Sequence, residues 1–138
     1  MFSHIEINAT DMNISARFYE STLKPLGFLI ADWELGKYVR LTNCRDAVIV
    51  LCQTEEKYLS GVLPYHRRRV GLAHFALAVE SKELVDQMEA HLASINIPLI
   101  GHGKCKIGYR GGYYTLSFED PDRIMIEVVW HESLYFSL

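Results

Sequence analysis

Apolar and polar residues along this chain follow two periods, two and about 3.6, and the two periods alternate in the same order twice. Residues 2–8 alternate strictly. Phe2, His4, Glu6 and Asn8 share one face, Ser3, Ile5 and Ile7 the other, which predicts a half-buried strand. Thr10 or Asp11 can cap the segment that follows. There Ile14, Ala16, Phe18, Tyr19, Leu23 and Leu26 recur at helical spacing until Pro25 and Gly27 end the helix. Residues 27–33, 37–42 and 47–52 then read as three strands separated by turns at Glu34–Lys37 and Asn43–Asp46. A polar and basic stretch, 54–70, follows as a linker. The pattern restarts at Gly71-Leu72-Ala73-His74-Phe75-Ala76-Leu77-Ala78-Val79-Glu80, a strand with one imidazole in its middle. Ser81 caps a helix that carries Leu84, Val85, Met88, Leu92 and Ile95 on one face. A short strand at 97–100, a glycine-rich loop at 101–112, and strands at 113–119 and 124–130 complete the second half. The last two strands are joined by a tight turn at Asp120-Pro121-Asp122-Arg123.

Strand, helix and three strands therefore occur twice, in an α+β fold. Neither half has enough apolar positions to close a core alone. The expectation is one domain over residues 1–138: module 1 at about 1–53, linker 54–70, module 2 at about 71–131, and an aromatic tail at 132–138. The two βαβββ modules would form a curled eight-stranded mixed sheet with the helices outside.

Composition narrows the class without changing this picture. With 49% hydrophobic and 22% charged residues and a net charge of -3, the chain reads as a globular cytoplasmic protein. Its one basic cluster, His66-Arg67-Arg68-Arg69, falls in the linker and predicts no nucleic-acid surface. No apolar run is long enough to predict a membrane span, and the amphipathic first strand is unlike a signal peptide. Cys44, Cys52 and Cys105 are scattered with no CxxC spacing, which predicts reduced thiols, with Cys52 in the core.

Three residues carry candidate chemistry on strands: His4, His74 and Glu127. The text around them resembles the vicinal oxygen chelate superfamily, which includes glyoxalase I, fosfomycin-resistance transferases, extradiol dioxygenases and bleomycin-resistance proteins. The resemblance rests on His4-Ile5-Glu6-Ile7, on Ser15-Ala16-Arg17-Phe18-Tyr19-Glu20 leading to Leu26-Gly27-Phe28, on Ala73-His74-Phe75-Ala76-Leu77-Ala78-Val79, and on Phe118-Glu119-Asp120-Pro121-Asp122 followed by Ile126-Glu127.

That resemblance implies that His4, His74 and Glu127 hold one divalent metal ion (Zn, Ni, Mn or Fe). Two imidazoles and a carboxylate leave positions open for vicinal oxygens of a small-molecule substrate. A fourth ligand position falls at Val50 or Leu51, and neither binds metal. Glu6 and His102 are the candidate bases. Trp33, Arg40, Tyr109, Arg110 and Tyr113 are the candidate substrate-binding residues, a set suited to a small anionic or carbonyl-bearing organic ligand. Ser117 stands where extradiol dioxygenases have a tyrosine, and Glu6 where fosfomycin transferases have a small hydroxyl residue. Isomerase or lyase chemistry on a small oxygenated metabolite is the first expectation. An iron-dependent dioxygenase and a non-catalytic binding protein are the alternatives. The aromatic tail Leu134-Tyr135-Phe136 adds the expectation of a homodimer.

Overall fold

Alternation in the first strand is realised as β1 (Ile5–Ala9), in which Ile7 and Ala9 are buried while Glu6 and Asn8 are exposed. Asp11, rather than Thr10, caps the next helix. Its side chain accepts the backbone N–H groups of Asn13 and Ile14 at 2.9 and 3.0 Å, satisfying two donors that the first turn leaves unpaired. The helix α1 runs Met12–Thr22. A short 3-10 turn over Lys24–Leu26, which begins with Pro25 near its start, ends at Gly27. Gly27 has φ 80°, a left-handed conformation that a Cβ would strain.

In this computed structural model the described residues are 3–60, 65–100, 105–107 and 113–132. They form two units. One comprises Met1–Tyr65 with Asp120–Asp122, the other His66–Glu119 with Arg123–Leu138.

In the first unit β2 (Leu29–Glu34), β3 (Tyr38–Thr42) and β4 (Val48–Gln53) join β1 in a mixed sheet of order β1-β4-β3-β2. β1 runs parallel to β4, and β3 is antiparallel to both its neighbours. One face of the sheet buries Ile7, Val39, Leu41, Ile49 and Leu51 under α1, which contributes Met12, Ala16 and Tyr19. Each of the larger aliphatic side chains removed from water here contributes roughly 1.5–3 kcal/mol against the entropy of ordering it. The turn Asp120–Asp122 belongs to this unit. Tyr19 donates its hydroxyl to Asp120 Oδ2 at 2.9 Å, and the Thr10 N–H donates to Asp122 Oδ2 at 2.9 Å.

The second unit repeats the order. β5 (His74–Ala78), α2 (Lys82–Ser94), β6 (Cys105–Ile107), β7 (Tyr113–Glu119) and β8 (Met125–His131) give a sheet of order β5-β8-β7-β6. Ser81 caps α2 by accepting the Leu84 N–H at 3.2 Å. Val85, Met88 and Leu92 of α2 are fully buried, as are Phe118, Ile126 and Val128 of the sheet.

The α+β class and the two βαβββ modules are as the periodicity implies, with each module supplying one four-stranded ladder. Two features differ. Residues 97–100 make only an isolated bridge, Leu99 to Phe118, and the strand that edges the second sheet lies instead at Cys105–Ile107, within the stretch expected to be loop. Pro98 removes a ladder donor from the first segment. The second segment has no apolar run long enough to announce a strand.

Candidate functional site

Paired residues on neighbouring strands share a face, so register decides what meets what. In the second unit Ala76 pairs with Glu127 and Glu127 with Ser117, while His74 pairs with Met125 and Met125 with Glu119. These lie on the face turned away from α2. The opposite parity is covered by the helix: Leu116, Phe118, Ile126 and Val128 are buried, and Tyr114 reaches Asp86 of α2 at 2.8 Å.

Glu127 is the buried carboxylate of the open face, only 8% exposed. A charge so placed is costly unless polar groups face it. Tyr113 supplies one, donating its hydroxyl to Glu127 Oε2 at 2.8 Å. His74 Nε2 lies 3.6 Å from the same oxygen. That is too long for a hydrogen bond. It is close to the separation of two ligands on one ion, since bonds of about 2.1 Å at a tetrahedral angle put the ligand atoms about 3.4 Å apart. The imidazole and carboxylate thus have the spacing and the chemistry of a metal-ligand pair. His4 is an exposed residue of the first unit, just before β1. Within either unit taken by itself, the described residues gather no set of three His, Cys, Asp or Glu side chains that could hold a metal.

The half-buried ring of His131 stands edge-on to Tyr113, with centroids 5.7 Å apart at 69°. The signal was present in the alternation Glu127, Val129, His131, which places all three on one face. Arg67, read as part of a solvated linker, pairs with Glu119, and Arg123 approaches the other oxygen of that carboxylate at 3.7 Å. No local pattern announces the Arg67 contact, between residues so far apart in the chain.

The open face of the first unit carries the equivalent positions. Glu6 pairs with Val50 and Val50 with Arg40, as Ala76 pairs with Glu127 and Glu127 with Ser117. Val50 is therefore the counterpart of Glu127. Leu51, the other candidate, is fully buried on the α1 side. The carboxylate paired with Val50 is Glu6, one strand across. Beside it lies Cys52, paired with Asn8 and Tyr38. Cys52 is half-buried on the open face rather than in the core, because its parity is that of Val50. Its thiol pKa is raised, chiefly by desolvation and then by its hydrogen bond to the Glu6 carboxylate and that group's charge.

Arg40 is engaged within its own sheet. Its Nε donates to Asp32 Oδ2 at 2.7 Å, a second guanidinium nitrogen contacts the same oxygen, and this partner raises its pKa further above the ordinary arginine value. Trp33, 66% exposed, pairs with Val39 and so lies on the face opposite Arg40. A register shift between Ile30 and Asp32 in β2 sets this parity. His102, Tyr109 and Arg110 lie outside the described residues, as do residues 133–138 of the aromatic tail.

A family model described as the Glyoxalase/Bleomycin resistance protein/Dioxygenase superfamily matches residues 1–128. The chain belongs to this superfamily. A relative within it, the uncharacterized protein YqjT of Bacillus subtilis, is 35% identical over 128 residues, covering 91% of this chain and 95% of its own. Among solved structures, a Bacillus halodurans protein provisionally assigned as a glyoxalase is similar with TM-score 0.76 and 28% identity, covering 94% of this chain and 95% of that one. A lactoylglutathione lyase from Agrobacterium tumefaciens is similar in fold, with TM-score 0.71 and 19% identity over 99% of this chain and 97% of that one. Among the described residues of this superfamily member, no helix is long and apolar enough to cross a membrane.

Proposed function

We propose that the protein is a divalent-metal-dependent enzyme of the glyoxalase type, acting on a small oxygenated organic metabolite by isomerase or lyase chemistry. The observation that carries this reading is the His74–Glu127 pair, whose facing atoms have ligand spacing and whose carboxylate is buried on an open sheet face. His74 and Glu127 would hold the ion, with His4 as the third ligand that the superfamily resemblance implies. When bound, the ion supplies Lewis-acid polarisation of adjacent substrate oxygens. Glu6 is the candidate proton acceptor. It is the carboxylate beside Val50, the position at which the superfamily resemblance expects a basic ligand, and it stands on a rigid strand. The same reading makes the protein a cytoplasmic homodimer, with no nucleic-acid or membrane partner.

One observation favours a second reading. Val50 replaces a potential fourth ligand, as suits a protein that binds a small molecule without transforming it. Elemental analysis after dialysis against divalent metals separates the two, on wild type, His74→Ala and Glu127→Gln. About one ion per chain, lost in both variants, supports the enzyme reading and directs substrate screening. No ion in the wild type refutes it and favours the binding protein.

A further inference from the structure

We infer that Tyr113 is a positioning residue that orients Glu127 for ligation through a single oxygen, an inference that rests on the metal-site reading above. Glu127 Oε2 faces two groups, the Tyr113 hydroxyl at 2.8 Å and His74 Nε2 at 3.6 Å. A carboxylate oxygen accepts through two lone-pair directions. The phenol occupies one and leaves the other toward the imidazole.

Tyr113 suits this task because its own orientation is fixed. It pairs with His131 across β7 and β8, and the His131 ring braces it edge-on. The neighbouring Tyr114, on the opposite face, bonds Asp86 of α2, so the two tyrosines divide between helix packing and the open face. A hydroxyl held on Oε2 stops the rotation about the last side-chain bond that would present both oxygens at once. Sequence reasoning placed Tyr113 among residues that touch substrate. In the structure its hydroxyl is directed at a protein carboxylate.

Tyr113→Phe keeps the ring against His131 and removes only the hydroxyl. Zinc affinity is measured by chelator competition, and the visible absorption of the protein saturated with cobalt(II) reports coordination geometry. The expected result is a loss of about tenfold or more in zinc affinity. The cobalt spectrum should also change at saturation, because Glu127 is free to ligate through both oxygens. Unchanged affinity and spectrum overturn the role of Tyr113 while leaving the metal site standing. Weaker affinity with an unchanged cobalt spectrum also overturns it, since that is what a merely structural tyrosine would give. Wild-type protein that takes up neither metal overturns the metal reading itself, and the wild type alone shows this. Should the variant not fold, the Tyr113 hydroxyl proton of the wild type is followed by low-temperature proton NMR during zinc loading. Its persistence in slow exchange supports the assignment, and its loss overturns it.

Discussion

Tyr19→Phe removes one oxygen from the most deeply buried aromatic ring of the first unit, and its cost follows from the geometry. The ring has no exposed surface and stands edge-on to Phe18 at 5.7 Å, contacts the substitution keeps. The hydroxyl donates to Asp120 Oδ2 at 2.9 Å, and Asp120 is 5% exposed. The Asp122 N–H donates to Oδ1 of the same carboxylate at 2.9 Å, a contact the substitution does not touch, so Asp120 keeps this donor and loses the phenol. A hydrogen bond to a charged acceptor contributes about 1.5–3 kcal/mol, so the variant should lose about 2 kcal/mol. For a chain of this size that lowers the melting temperature by about 6 °C. Urea unfolding at pH 7 measures it directly.

A second arm of the same experiment uses pH. Burial, assisted by the Asp120 charge and hydrogen bond, raises the Tyr19 pKa above its ordinary value of 10.0. The folded protein therefore keeps the phenolic proton where the unfolded chain has released it. This stabilisation is complete below pH 10 and is lost as pH rises beyond it, by about 1.4 kcal/mol per pH unit. Phenylalanine cannot ionise. The stability gap between wild type and variant should hold at about 2 kcal/mol to about pH 10 and narrow above it. A gap below about 0.5 kcal/mol at pH 7, or one that stays constant to about pH 11, would refute the reasoning.

Two other outcomes follow from local chemistry. Cys52, with its thiol pKa raised by desolvation and by Glu6, should alkylate with iodoacetamide more slowly than the exposed Cys44 at pH 8, and Glu6→Gln should speed it; equal rates in wild type, read by mass spectrometry of the labelled peptides, would count against the Glu6 contact. Asp11→Ala removes the acceptor for two N–H groups of α1 and should cost about 1 kcal/mol in urea unfolding, whereas Asp11→Asn should restore most of it.

Much of the fold is local and could be read directly. Asp11 and Ser81 as caps and the alternation in β1, β7 and β8 are each consequences of neighbouring residues, and each is where the pattern puts it, whereas α1 stops at Thr22, before Pro25 and Gly27, which shape the 3-10 turn that follows. Parity carries further than element type. It places Tyr113 with Glu127 and Tyr114 with α2, because a strand sends successive side chains to opposite faces.

Parity stops at partners. That Val50 rather than Leu51 is the counterpart of Glu127 needs the register of β1 on β4. That Trp33 and Arg40 lie on opposite faces needs the shift between Ile30 and Asp32, a single extra residue that reverses every position after it. The phenol on Glu127, Arg67 on Glu119 and the inclusion of Asp120–Asp122 with the first unit join residues distant in sequence. The sequence by itself determined the elements, their repeat and which residues could carry chemistry, because those depend on near neighbours. Tertiary structure decided which of those residues meet, because strand pairing and side-chain packing are set by contacts that no local window of the chain contains.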